Sequence, residues 1–521
     1  MIAFGLYRLR LRGDPFVHAG ALLIAARHED RAARAAKGAA LALIFVLAAA
    51  LRFHALDAPS LWYDELASDV FANEPLSRLW SRWMVRETNP PLYYSLLHFW
   101  IATFGDSALS LRSPSALAGA CAPLLVYAIA ARLGLREASW LAAVVTALSA
   151  RQIVSSQEAR PYIFAQCAAL LAILGLIRCL DALRRPRSSP RRGALLADLT
   201  LYVGGCAAAL YLHTTLFVLP LIANLTFLSL WRRGAEGAWR NLGLWLLANL
   251  AVVCLWAWWA LIAAQQTRSA DITWIPHQSI AQAVATSIGV LFPRLPSDLP
   301  RVLAVLSLPI AALGLARMSR RSATVLLLFG LGAPVVLFVV SMQVPVLTQR
   351  TLLWAQFAAT LAVAAGLWRP DRPWRSLVTA SAFTLLLVNS LGDAQTMRVA
   401  EPWRELAESM SANLREKDVV AFSDASIGLA LEYYCRRLRC RFMPVQVDAQ
   451  LTPWSLGLFR GRVIAPEAAG GLFSPGARVW SVEYSGATIG RLLLPFAEPS
   501  PFGGPRLSFP PYLKVETWTA R

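Results

Sequence analysis

Apolar residues come in long blocks, separated by short clusters rich in arginine. A hydrocarbon core about 30 Å thick is crossed by roughly 20 mostly apolar helical residues. On that measure eleven blocks read as spanning helices, at 38–56, 113–131, 138–150, 162–180, 194–212, 214–231, 241–262, 302–316, 322–341, 352–368 and 376–392. The third is short, and the fifth and sixth almost touch. After residue 392 the pattern changes: "EPWRELAESMSANLREKD" has helical periodicity, while "VVAFSD", "ARVWSVEY" and "LKVETWT" alternate as strands do, the last following a Pro/Gly-rich stretch at 494–511. The expected architecture is a mainly α, polytopic membrane domain over 1–392 and a small α/β domain over 393–521.

Composition agrees with this division. The chain has 521 residues, 57% of them hydrophobic and only 16% charged, with a mean hydropathy of +0.49, whereas soluble chains carry about a quarter charged residues. A net charge of +19 suits a nucleic-acid binder only if it lines one polar face, and here it lies in the gaps between apolar blocks. It reports topology instead. With the N-terminus in the cytoplasm, the inner connections hold 24 lysines and arginines and the outer ones 11. The expectation is N-terminus in, C-terminal domain out, with no signal peptide, because the apolar stretch at 16–26 is short. The nineteen tryptophans need no more than an aromatic belt. Five cysteines fall within apolar blocks; Cys435 and Cys440 lie outside, as a disulfide in an oxidising compartment or as two thiols.

The unusual polar residues gather on the outer side. The first outer loop, 57–112, holds "LWYDE" with Asp64 and Glu65, "NPPLYY" with Asn89, and Arg112; the second holds "SSQEARPY" with Glu158, Arg160 and Tyr162. "YLHTT" with His213, "ITWIPH", and "VLTQRTLL" with Arg350 follow. Charges at membrane depth cost about 2.5–3.5 kcal/mol on insertion scales, so such groups belong at an interface or in a water-filled cavity. Each has a plainer explanation: Asp64 and Glu65 as helix caps, Arg160 and Arg350 as snorkelling anchors, His213 as an interfacial histidine, Asn89-Pro90-Pro91 as a helix start. Chemically, displacing an anomeric phosphate by an alcohol asks for one carboxylate as base and cations for the leaving phosphate. Asp64 fits the first role, and Arg350 and Arg160 the second. A single displacement inverts the anomeric centre, and nothing asks for the covalent intermediate of a retaining enzyme. No Asp, Glu or His spacing forms a metal site; no cofactor is called for, although a divalent cation is compatible with the chemistry.

The order "LWYDE", "NPPLYY", "RSP", "SQEARPY", "YLHTT", "R-T-L-L", spread over residues 38–440, resembles the GT-C superfamily of polyprenyl-phosphate-sugar-dependent glycosyltransferases. The resemblance is to the bacterial branch of protein O-mannosyltransferases, aminoarabinose transferases and lipopolysaccharide-core galacturonosyltransferases. It implies a bundle of about eleven spans in the bacterial inner membrane, with the active site and C-terminal domain in the periplasm. It further implies a polyprenyl-phosphate sugar donor, membrane lipid around the donor's tail, and a cell-envelope glycan, lipid or protein as acceptor. It places the catalytic carboxylate at Asp64, with Glu65 completing the pair; Arg350, Arg160, Glu158, Asn89, Arg112, His213 and Tyr162 are the candidates for donor phosphate or substrate. The aminoarabinose branch has lysine where this chain has Asn89. A transporter or flippase of a lipid-linked intermediate is the alternative, and a scaffold recruiting partners through the C-terminal domain a third reading. Against transport, no paired broken helices or repeat halves are found.

Overall fold

The computed structural model describes residues 15–520, apart from 136, 184–191, 232–236, 270–274, 292–299, 369–370, 390–397, 399–400, 423, 448–461, 465–475, 485–496, 500–506 and 510–512. A long helix, α1 (Pro15–Phe53), leads into a loop that carries α2 (Tyr63–Ala72), α3 (Leu76–Leu79) and α4 (Leu92–Phe104). Next come α5 (Ala108–Arg132), α6 (Ala138–Leu148), α7 (Ala150–Ser156), α8 (Tyr162–Ala182), α9 (Arg192–Leu212), α10 (Val218–Leu230) and α11 (Ala238–Ser269). The membrane part ends with α12 (Ile280–Leu291), α13 (Pro300–Arg317), α14 (Arg320–Leu327) joined by a π-helical turn to α15 (Ala333–Ser341), then α16 (Gln356–Leu367) and α17 (Pro373–Asn389). All eleven apolar blocks read from the sequence fall on helix, the last as far as the description reaches. Among the described residues, six helices are long and apolar enough to cross a membrane, or seven when α6 and α7 count as one. This is a multi-pass membrane protein. Shorter apolar helices at Thr214–Leu230, Ser307–Arg317 and Leu353–Leu367 cover three more of the blocks.

The short third block has a physical cause. α6 and α7 meet at Ser149, which is extended, and bend by 55°. The break leaves backbone carbonyls unpaired, a cost of several kcal/mol each in hydrocarbon. Arg52 at the end of α1 meets that cost: fully buried, it donates to Ala147 O at 3.2 Å, Ala48 O at 3.0 Å and Ser156 Oγ at 3.1 Å. The near contact of the fifth and sixth blocks is a 3-10 turn, Thr214–Phe217, capped by His213. Elsewhere the bundle closes on small residues, as lipid-embedded helices do. α13 and α16 touch through Gly314 and Gly366: a Cβ on either would lie 2.0 Å from Ala362 O or Ile310 O.

Among its described residues, the C-terminal unit contains α18 (Trp403–Ser411), α19 (Ala425–Leu438) and seven strands: β1 (Val419–Phe422), β2 (Met443–Val447), β3 (Arg462–Ile464), β4 (Arg478–Tyr484), β5 (Ala497–Pro499), β6 (Leu507–Phe509) and β7 (Leu513–Ala520). Strands β3-β2-β1-β4 run parallel, β7 is antiparallel to β4, and β5 and β6 both pair with β7. The three strand motifs read from the sequence land on β1, β4 and β7. β1 is buried along its whole length, which explains its unbroken apolar run. Cys435 and Cys440 are free thiols, with Cys440 Sγ 3.6 Å from Cys435 O, so the thiol alternative is the one present.

α17 has 17 residues, short for a span, and decides on which side the C-terminal unit lies. In a cysteine-free background, Asp371→Cys and Glu408→Cys, both exposed, should react with an impermeant maleimide from opposite faces of the membrane. Reaction of both from one face would remove α17 from the count of spans.

Candidate functional site

The site is built around the first turn of α2. Glu65 is 0% exposed and takes a two-pronged ion pair from Arg112 on α5, Nε to Oε1 at 2.7 Å and Nη2 to Oε2 at 2.6 Å. Arg112 spends its remaining donors on the carbonyls of Leu56, Pro59 and Ser60, at 2.8–3.0 Å. Glu65 also accepts from the backbone N–H of Ala159 at 2.8 Å and of Trp62 at 3.3 Å. The loop after α1, the helix α2 and the loop before α8 are thereby pinned to one guanidinium. The expected substrate roles of Glu65 and Arg112 do not fit this geometry. All five N–H groups of Arg112 are used inside the protein, so it has none to offer a phosphate, and Glu65 is a structural anchor.

Asp64, next in the chain, points elsewhere. Successive helical residues are about 100° apart, so the burial of Glu65 turns Asp64 outward, where its side chain is 25% exposed. Its Oδ2 lies 3.3 Å from Arg350 Nη1 and 3.5 Å from Arg160 Nη2. Each arginine is held from behind. Arg160 donates to Asp64 O at 3.1 Å and follows Gln157, whose amide is bound to the carbonyls of Arg52 and His54 at 3.1 and 3.0 Å. Arg350 sits in a turn closed by reciprocal bonds, Thr348 N–H to Thr351 Oγ1 at 2.9 Å and Thr351 N–H to Thr348 Oγ1 at 3.2 Å. Its guanidinium stacks over Trp62, 4.6 Å from the ring centroid, and stands 5.5 Å from that of Tyr162. Tyr162 also lies 5.8 Å from Arg160 and 5.4 Å from His213. Three segments far apart in sequence thus converge on one carboxylate, with His213 of a fourth beside Tyr162.

The other expected residues fall around this centre. Burial, with Asp64 and Glu65 adding repulsion, raises the pKa of Glu158 while Arg350 and Arg160 oppose the rise. Burial and the nearby Arg160 lower His213 to about 4, so it is neutral at pH 7, and its Nδ1 accepts from Thr215 N–H at 3.3 Å. That is a capping role. Asn89 is buried with its amide spent on Glu87 Oε1 at 2.7 Å. Among the described residues, no group of three or more His, Cys, Asp or Glu is placed to hold a metal ion.

Sequence reasoning missed the hold of the C-terminal unit on this turn. Arg398 donates to the carbonyls of Ala55 and Leu56 at 2.7 and 2.9 Å, where Ala55 is left-handed with φ 48°. Glu401 accepts from Tyr63 N–H at 3.3 Å, capping α2 from 338 residues away, and Tyr434 Oη accepts from Leu61 N–H at 2.7 Å. Burial raises the Glu401 pKa. No local pattern announces contacts this long in sequence.

No family model and no curated protein matches the chain. Solved structures do. ArnT from Cupriavidus metallidurans in the apo state superposes with a TM-score of 0.59 at 13% identity, over 93% of this chain and 98% of that one. ArnT bound to undecaprenyl phosphate gives 0.56 at 13% identity, over 91% and 97%. The chain has the GT-C fold. The arabinofuranosyltransferase AftD from Mycobacteria shares this GT-C fold at a TM-score of 0.53 and 16% identity, covering 92% of this chain and 40% of its own.

Two predictions concern this scaffold. Arg112→Met strands a buried carboxylate and should cost about 3–5 kcal/mol, read as a lower thermal midpoint in detergent; Glu65→Gln added to it should recover part of the loss. Asp69, on the far side of α2, is raised to about 6 by burial and by Asp106, with Arg436 and Arg437 opposing. A carboxyl with a raised folded-state pKa withdraws stability as pH climbs through that value. Asp69→Asn should therefore stabilise the protein by up to about 3 kcal/mol at pH 7.5, and the gain should vanish below about pH 4, where both states bind the proton.

Proposed function

We propose that the protein transfers a sugar from a polyprenyl-phosphate-linked donor to an acceptor hydroxyl at the outer face of a bacterial inner membrane. The observation that carries this reading is Asp64: one partly exposed carboxylate between two arginines from two other loops. The GT-C fold, found in a protein bound to undecaprenyl phosphate, supports the donor class. The excess of positive charge in the opposite loops supports an outward site and an outward C-terminal unit.

The long ion pairs suit an exchange. At 3.3 and 3.5 Å they exceed the roughly 2.7–2.9 Å of a strong charge-assisted bond, so a donor phosphate takes over the guanidinium groups at little cost. Asp64 is then free to face the acceptor. Its carboxylate accepts the proton of the attacking hydroxyl as the oxygen bonds to the anomeric carbon. The bond from that carbon to the phosphate oxygen breaks, and polyprenyl phosphate leaves with its charge on Arg350 and Arg160. One displacement inverts the centre. Glu158, beside the same arginines and with its pKa raised, lines the donor side, and Tyr162 and Trp62 hold Arg350 in plane.

Asp64→Asn keeps the size and the capping ability and removes the basic oxygen. Transfer in a purified assay with lipid-linked donor should fall by at least about a hundredfold with unchanged membrane insertion. Arg350→Ala should weaken donor use more than acceptor use, and Arg350→Lys, which keeps charge but loses the planar fork, should recover only part. Activity within a few fold of the parent in Asp64→Asn would remove the base assignment.

A further inference from the structure

α2 has a second face. Relative to Asp64, residues Leu66, Asp69, Val70 and Asn73 occupy the opposite side of the helix at about 100° per residue. They form one wall of a cleft of ≈ 210 Å³ whose other wall is α19 of the C-terminal unit. At about 30 Å³ per water, the cleft holds roughly seven waters. That is room for one sugar ring, and it is below the ~300 Å³ at which drug-sized sites begin.

The lining selects the chemistry. Asp69 is 7% exposed and takes one hydrogen bond, from Asn73 Nδ2 to Oδ1 at 3.1 Å. The neighbouring cations are engaged by another residue: Arg436 and Arg437 grip Asp106 at 2.5 and 2.6 Å. Glu432 lies across the cleft from Asp69. Arg436 also lines the cleft but is paired with Asp106, so the two carboxylates outweigh it and the lining offers acceptors to a molecule rich in O–H donors more than it attracts a phosphate or carboxylate. Leu66, Val70 and the Tyr433 ring supply an apolar wall against which one face of such a ring packs. A buried carboxylate without an ion pair lowers stability, and groups retained on such terms cluster at functional sites.

We propose that this cleft is a saccharide subsite for an acceptor glycan, an inference that rests on the transferase reading. Residues 64 and 69 are about 7.5 Å apart along the helix axis, and the helix is about 10 Å across. The ring in the cleft therefore lies about 12 Å from a hydroxyl at Asp64, round the side of α2, a distance that a glycan chain bridges and a single sugar does not. This makes the acceptor a glycan chain, with the cleft setting which residue along it is modified.

Saturation-transfer NMR on the purified full chain in detergent, with glucose, galactose, mannose, N-acetylglucosamine and their disaccharides as probes, tests the subsite. At least one probe should receive saturation, at least fivefold less in Asp69→Leu and Asn73→Leu, and within twofold of the parent in Asp64→Asn. Asn73 is exposed, so its substitution carries the test even if Asp69→Leu fails to fold. No signal from any probe, or a signal that survives both cleft substitutions, overturns the subsite. A parent with no transfer activity overturns the transferase reading and the acceptor role with it, while sugar binding still stands or falls on the two cleft variants.

Discussion

The buried pair between Glu65 and Arg112 is the constraint on which the rest of the site depends. Neither charge survives at a span end without the other, since removing one partner of a buried pair leaves the full desolvation cost of its mate. The guanidinium then has donors left over, and they go to the carbonyls of residues 56, 59 and 60. The chain leaving α1 is thereby wrapped around Arg112, and α2 starts in one orientation. Everything said of Asp64 follows from that orientation.

Much of the membrane part was legible in the sequence, because burial in lipid demands long apolar helices and little else matches that pattern. The convergence of Asp64, Arg160, Arg350 and Tyr162 was legible too, as a set of polar motifs at successive span ends. What could not be read was the division of labour between adjacent carboxylates. "DE" places two identical chemistries 100° apart, and only the position of Arg112 says which one turns inward. Arg112 itself sits in a span-opening "RSP", with nothing local to mark it as saturated. The break at Ser149 was visible only as a short block, since its cause, Arg52, lies on another helix.

Composition marks a boundary near residue 392, yet hydrogen bonds cross it at Arg398, Glu401 and Tyr434. The α/β unit is tied to the turn that carries Asp64, and its helix α19 closes the cleft behind α2. A texture change along the chain reports a change of solvent, from lipid to water. It does not report mechanical independence. Backbone groups of residues 55–63 exposed by the wrap around Arg112 need partners, and the C-terminal unit supplies them.

The glycine contact between α13 and α16 carries no chemistry of its own. In lipid, helices gain nothing from burying apolar surface against each other, so register depends on how closely backbones approach. Gly314 and Gly366 set that approach, and the segment entering α16 is the one that bears Arg350. A methyl group at either position would meet a carbonyl oxygen at 2.0 Å, and the helices would have to part or slide. The placement of Arg350 is thus set partly at two featureless positions deep in the bundle, where what the packing requires is the absence of a side chain.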